Sequence, residues 1–223
     1  MTLIAPRPEA MPERLWLDET SWVDVWRGWL EGADALYDAL VANVQWQANR
    51  LWRYERWVEE NRVTAFVSFG RGRPLPHDSL VVVHRGVRAA AGAPFADGFA
   101  MSWYRDGDDG QAFHRDTDMK WCEDTKIAIL TLGATRPWHL RPKANRNHHG
   151  LPNKGATHDL QPSSGDLLVM GGRCQADWEH SVPPVRGFRG GRISLQWRWT
   201  SRTGRQERMA GYGAPLNYSR RGR

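Results

Sequence analysis

The sequence predicts a mainly β domain of the α+β class, a double-stranded β-helix (jelly roll) buttressed by N-terminal helices. Three observations lead there. From about residue 98 to 200, short runs rich in Val, Ile, Leu, Phe and Trp are cut by Gly, Pro and Asp turn clusters, the rhythm of short antiparallel strands. The last run, Arg192-Ile193-Ser194-Leu195-Gln196-Trp197-Arg198, alternates polar with apolar residues, so one face packs in a sheet and the other is polar. Upstream, Leu80, Val83, Val87 and Ala91 recur at helical spacing.

Residues 1–12 hold Pro6, Pro8 and Pro12 and read as a loose N-terminus. Trp22, Trp26 and Trp29 have helical spacing, and Asp18, Thr20 or Ser21 would cap the turn before them. This predicts a helix over about 19–42 whose tryptophans pack on the sheet. Trp46, Trp52, Tyr54 and Trp57 then alternate with charges in a strand-like manner. Arg53, Arg56, Arg71 and Arg73 interleave with Phe66 and Phe69, a pattern that suits phosphate contact with base stacking. A second helix is expected over 78–91, and Phe95-Ala96-Asp97-Gly98-Phe99 leads into the first core strand. Between two later strands, Arg136, Arg141, Lys143, Arg146 and Lys154 lie in an Asn/Gly/Pro-rich stretch that reads as a long loop facing a polyanion. His148-His149 in that loop lacks neighbouring carboxylates or cysteines and reads as polar surface, not a second metal site. The tail from Arg202 to Arg223 carries six arginines against one glutamate and reads as a flexible basic arm. A single domain over 13–201 remains.

The residues that carry chemistry are His114-Arg115-Asp116 and, later, His180. Alternate residues of an extended strand share a face, so His114 and Asp116 can grip one ion while Arg115 points away. Two imidazoles and a carboxylate form the facial set that holds Fe(II) with open positions. On the final strand Arg192, Ser194, Gln196 and Arg198 share the polar face. Guanidiniums directed into an enclosed space require an anion, and bidentate carboxylate recognition is what arginine does best. A 2-oxo diacid that chelates the iron meets both requirements.

Several of these segments also resemble one family. They are Ser102-Trp103-Tyr104-Arg105-Asp106-Gly107 through His114-Arg115-Asp116-Thr117-Asp118; Ile127 to Ala134 with Arg141 beyond; Ser164-Gly165-Asp166-Leu167-Leu168-Val169-Met170 with Trp178-Glu179-His180-Ser181-Val182-Pro183; and Arg192 to Arg198. Over about residues 98–200 the chain resembles the AlkB family of Fe(II)/2-oxoglutarate-dependent dioxygenases. The resemblance implies His114, Asp116 and His180 as iron ligands. Tyr104 and Arg192 would hold the distal carboxylate of 2-oxoglutarate, with Arg198 near the keto-acid end. Asp118 would help recognise the damaged base, with Phe69 and Arg141 as further substrate contacts. Ser102 and Ser194 stand in the co-substrate set where the family commonly has asparagine; serine is shorter and has no amide, so co-substrate binding is expected to be looser. The implied reaction consumes O2, converts 2-oxoglutarate to succinate and carbon dioxide, and hydroxylates an alkyl carbon on a nucleobase nitrogen, which then leaves as an aldehyde. The substrate lid would lie within about 46–76, although the usual aromatic-Ser-Gly lid motif is missing there. A base inside a duplex must leave the stack to react, so single-stranded or flipped-out DNA or RNA is the expected partner.

Composition agrees. Thirty-one basic against 25 acidic residues give +6, a balance that favours polyanions. Cys122 and Cys174 are too few and too isolated for a zinc or disulfide framework, which fits a reducing cytoplasm. No apolar run reaches the about 18 residues a membrane helix needs, and there is no signal-peptide pattern, so a cytoplasmic monomer without membrane contact is expected. Two other activities fit the same residues: a hydroxylase of this fold acting on a protein, lipid or small molecule, and a non-catalytic nucleic-acid-binding relative. Asp118 and the flanking basic segments favour the nucleobase.

Overall fold

The computed structural model describes residues 2–53, 55–70, 72, 74–116, 119–144 and 157–201. In chain order its elements are β1 (Ala5–Pro6), β2 (Glu13–Trp16), β3 (Ser21–Trp26), β4 (Leu30–Glu31), α1 (Ala33–Asn43), β5 (Gln47–Arg53), β6 (Arg56–Ser68) and α2 (Leu80–Ala91). There follow β7 (Gly98–Tyr104), β8 (Gln111–His114), β9 (Thr125–Gly133), β10 (His139–Pro142), β11 (His158–Asp159), β12 (Leu167–Gly172), α3 (Cys174–Asp177), β13 (Trp178–Val182) and β14 (Arg192–Thr200).

Two antiparallel sheets face each other as a jelly roll. The larger has eight strands in the order β2-β3-β12-β9-β14-β7-β6-β5, the smaller has four in the order β11-β10-β13-β8, and β1 pairs with β4. Strand alternation divides the apolar residues between two cores. Ile193, Leu195 and Trp197 of β14, with Leu130, Leu132, Leu167 and Val169, meet Leu36 and Leu40 of α1 and Leu80, Val83 and Val87 of α2 on the outer face of the large sheet. Val23, Val25, Ile127, Ile129, Leu168 and Met170 meet Trp138, Leu140, Trp178 and Val182 between the sheets. Burial of this size drives the layered packing and leaves the mouth between the sheets for polar residues.

Helix α2 follows its apolar stripe and stops where Gly92 takes a left-handed conformation (φ 54°), its N–H reaching back to Ala89 O and Arg88 O. The tryptophan-rich segment behaves differently from the expected helix over 19–42. Residues 21–26 form strand β3, and only 33–43 are helical. The period-two pattern wins: Val23 and Val25 enter the inter-sheet core, whereas Trp26 lies in the outer one. Asp18 caps a hairpin turn, not a helix, its Oδ1 accepting from the N–H groups of Thr20 (2.8 Å) and Ser21 (2.7 Å). Residues 2–12 also depart from the loose terminus expected, because Ala5–Pro6 pairs with Leu30–Glu31 and Arg7 N donates to Trp29 O. The basic tail from 202 lies outside the described residues.

Candidate metal and co-substrate site

His114 ends β8 and lies directly across from His180 on β13, their ring centroids 4.2 Å apart. Asp116 lies two residues beyond the end of the strand, its carbonyl accepting from Met119 N (3.0 Å). Its N–H donates to Gln175 Oε1 (2.8 Å), and Arg115 turns away to donate to Lys120 O (2.8 Å) and Ala176 O (2.9 Å). These bonds pin the segment so that one ligand atom each from His114, Asp116 and His180 lies within 4.8 Å of the others. Trp138 stacks on His180 at 5.8 Å and closes the site from the inter-sheet core.

The electrostatics suit a cation. Burial pushes the His180 imidazole down to about 3, with His114 and Arg198 adding to the effect against Asp116. Burial likewise lowers His114, opposed by Asp116 and by the bond to Ala112. Burial works against ionisation of Asp116, yet Arg198, His180 and His114 outweigh it and hold the carboxyl at about 2. Near neutral pH the set is therefore two neutral imidazoles and one carboxylate. His114 Nδ1 lies 2.9 Å from Ala112 O; a carbonyl only accepts, so Nδ1 carries the proton and Nε2 offers its lone pair. This donor set fits a divalent first-row metal such as Fe(II).

Tyr104, which lines the same small pocket as the triad, carries a buried arginine across from it. Arg192, 0% exposed, is the cross-strand partner of Tyr104 on β7, and its Nη2 reaches Thr131 Oγ1 at 3.4 Å. Its Nε and Nη1 have no hydrogen-bond partner among the described residues, and burial pulls the guanidinium down to about 10. Buried unpartnered donors of this kind are costly, and a carboxylate is the kind of group that would satisfy them. Ser194 and Ser102 pair across β14 and β7, both buried. Arg198 stands apart from Arg192. Its Nε donates to Asp116 Oδ2 (2.8 Å) and its Nη2 to Gln196 Oε1 (2.6 Å), so it orients the carboxylate of the triad.

Three substrate positions named from the sequence fare differently. Phe69 packs on His84 (4.6 Å) and Phe99 (6.0 Å) in the outer core, on the far side of the sheet from the triad. Phe66, 68% exposed, lies on the cavity wall, as does Phe113, whereas Phe69 is absent from it. Arg141 also points away. It is next to Leu140, which pairs with His180, and so falls on the opposite face of the small sheet, bound to Glu179 (2.8 Å) and over Phe113 (3.9 Å). Asp118 lies outside the described residues. Arg136, read from sequence as part of a polyanion-facing loop, is 1% exposed and donates to Asp106 O, Asp109 O and Pro183 O as an internal clamp. Of that stretch, residues 145–156 lie outside the described residues.

A cavity of about 1780 Å³ opens before the triad, walled by the hairpin β5–β6 and by residues 74–76. Within it Arg62 donates to Glu60 at 2.9 Å, both side chains mostly buried (14% and 17% exposed), and the Arg62 charge reaches His114 and His180. Gln111 is the other residue that the sequence did not single out. Its Nε2 lies 2.8 Å from His114 Nε2, and its Oε1 accepts from the Tyr104 hydroxyl at 3.2 Å. Period-two counting from His114 would have put Gln111 on the opposite face.

Residues 38–198 match the family model of the 2OG-Fe(II) oxygenase superfamily. The alpha-ketoglutarate-dependent dioxygenase alkB homolog 3 of Bos taurus is 27% identical over 178 residues, 76% of this chain and 62% of that protein. The DNA oxidative demethylase ALKBH2 of Bos taurus is 30% identical over 95 residues, 43% of this chain and 34% of that protein. The chain thus spans 62% or less of the length of these two relatives. A solved prolyl hydroxylase of Trichoplax adhaerens, in complex with a hypoxia inducible factor peptide fragment, shares the fold with a TM-score of 0.54 at 13% identity, covering 80% of this chain and 83% of that one.

Proposed function

The chain belongs to the 2OG-Fe(II) oxygenase superfamily, as an AlkB-type member, and from that premise we propose that it oxidatively dealkylates N-alkylated nucleobases in single-stranded or flipped-out DNA or RNA. The observation that carries this reading is the joint placement of the triad and Arg192. Neutral imidazoles and an ionised carboxylate converge where a metal ion would be gripped, and the chain Arg192–Tyr104–Gln111–His114 links to them a buried guanidinium whose Nε and Nη1 have no partner among the described residues, which suits a diacid.

In this reading His114, Asp116 and His180 hold Fe(II), while Arg192 and Tyr104 receive the distal carboxylate of 2-oxoglutarate, with Ser102 and Ser194 lining the seat. When bound, iron, 2-oxoglutarate and O2 supply the oxidising power that hydroxylates the alkyl carbon. The chain's own residues do the rest. Arg198 keeps Asp116 ionised and aimed, the Ala112 carbonyl fixes the His114 tautomer, and Trp138 excludes water from behind His180. The hairpin β5–β6 serves as the substrate lid, and its exposed Phe66 offers a flat apolar surface to an unstacked base. Asp118 stays with this reading as a base contact. The catalytic unit would span 13–201, acting as a monomer in the cytoplasm. No described helix is long and apolar enough to cross a membrane.

The test adds Fe(II) and 2-oxoglutarate anaerobically, then O2, and follows methylated single-stranded oligonucleotides by mass spectrometry. Loss of one methylene mass per lesion, dependent on both additions, is the expected result. Succinate without any oligonucleotide change would move the substrate to a protein, lipid or small molecule, and no succinate would favour a binding protein.

A further inference from the structure

The chain places Gln111 between the two halves of the site. Its carboxamide bridges His114 Nε2 (2.8 Å) and the Tyr104 hydroxyl (3.2 Å). The orientation of the amide follows from its partners. Nδ1 of His114 donates to Ala112 O, so Nε2 accepts, and only the NH2 end of the glutamine can face it. The oxygen end then accepts from Tyr104.

This contact exists because β8 is bulged. From His180 to Val182 strand β13 advances two residues, while from His114 to Gln111 its partner covers three. The extra residue returns Gln111 to the face that His114 occupies, the re-aiming that bulges accomplish near functional sites. Gln111 consequently joins Tyr104, Ser194, Gln196 and the triad on the wall of one small pocket.

The imidazole nitrogen has one lone pair. It cannot serve the Gln111 N–H and a metal ion at once, so metal binding at His114 must displace the amide. The displaced N–H then needs a new acceptor beside Tyr104, whose cross-strand partner Arg192 holds buried donors without a partner among the described residues. We propose that Gln111 is a positioning residue that couples the two subsites. Its carboxamide competes with the metal ion for His114 Nε2 and, once displaced, donates to the carboxylate of the co-substrate beside Tyr104 and Ser194. The amide thereby serves a seat in which Ser102 and Ser194 offer only hydroxyls. The proposal rests on the iron and 2-oxoglutarate assignment above.

The experiment uses the full chain with Co(II) as the metal probe, titrated by absorbance. 2-Oxoglutarate is then titrated into the Co(II)-loaded protein by calorimetry. Gln111→Met keeps the side-chain length and removes both hydrogen-bonding groups, and Gln111→Ala checks that added bulk is not responsible. Each variant is expected to bind Co(II) about fivefold tighter and 2-oxoglutarate about fivefold weaker, one hydrogen bond in each direction. The opposite signs are the signature, since a merely structural role would shift both affinities the same way and lower the melting temperature. Unchanged or weaker Co(II) binding in both variants would overturn the competition, and unchanged 2-oxoglutarate affinity would overturn the donation. If the wild-type chain bound no Co(II), the metal assignment itself would fall and this proposal with it.

Discussion

Gln111 and His114 face the same way although three positions separate them, and the bulge opposite His180–Val182 is what aligns them. A regular strand would have turned the amide out of the pocket. The metal-facing residues are therefore supported by a departure from regular geometry, whereas the residues behind them follow the pleat.

His180 is buried at 8% exposure between His114 and Trp138. His180→Ala should abolish 2-oxoglutarate turnover while leaving polynucleotide binding within about twofold, since Phe66 and the other exposed surfaces are untouched. Single-turnover mass spectrometry and fluorescence anisotropy on the same oligonucleotide check the two halves. Retained repair activity would remove His180 from the metal assignment.

Much of this was legible in the sequence because period two is a strong signal where one face is apolar. The pairing of Ile193, Leu195 and Trp197 against Arg192, Ser194, Gln196 and Arg198 carried straight into β14. It failed where another period imitated it. The 22-26-29 spacing matches a helix, but Val23 and Val25 between the first two tryptophans had a core of their own to enter, and strand pairing with β12 won. Contacts set by tertiary layering were beyond reach. Nothing local tells Phe66 from Phe69, or shows that Glu179 waits beneath Arg141.

Those two phenylalanines give a paired test. Phe69→Ala empties part of the outer core and should cost about 2–4 kcal/mol of stability with little change in kcat. Phe66→Ala, on the cavity wall, should leave the melting temperature nearly unchanged and weaken binding of single-stranded substrate about tenfold. Thermal melts with steady-state KM separate the pair. The reverse pattern would return Phe69 to the substrate side.

Asp18 offers a pH test remote from the site. Burial opposes its ionisation, but the Trp178 indole N–H (2.6 Å) and the Thr20 and Ser21 donors outweigh it and hold the carboxyl below the usual range. A depressed folded value means that the stabilisation is complete above the unfolded value, about 3.9, and is lost as pH falls through the folded one. Asp18→Asn should therefore lower the melting temperature at pH 7, with the gap to wild type closing only below about pH 4. A gap constant from pH 7 to pH 3 would show that the charge contributes nothing.

Arg192→Met separates binding from folding by the sign of its effects. The guanidinium is 0% exposed, bonds only to Thr131 among the hydrogen bonds described, and keeps Nε and Nη1 without a partner. An uncompensated buried charge destabilises the protein that holds it, and a flexible apolar side chain of similar length fills the same volume without desolvation cost. In the absence of 2-oxoglutarate the variant should be more stable than wild type by about 1–3 kcal/mol. With its anion seat removed, it should bind 2-oxoglutarate at least about a hundredfold more weakly, the loss expected when a charge-assisted carboxylate contact disappears. Adding 2-oxoglutarate and Mn(II) should then raise the melting temperature of wild type well above that of the variant and invert their order. Denaturant melts with and without the two additions read both effects. If the variant is less stable in their absence, Arg192 is a structural residue with satisfied surroundings, and the seat for the diacid must lie elsewhere.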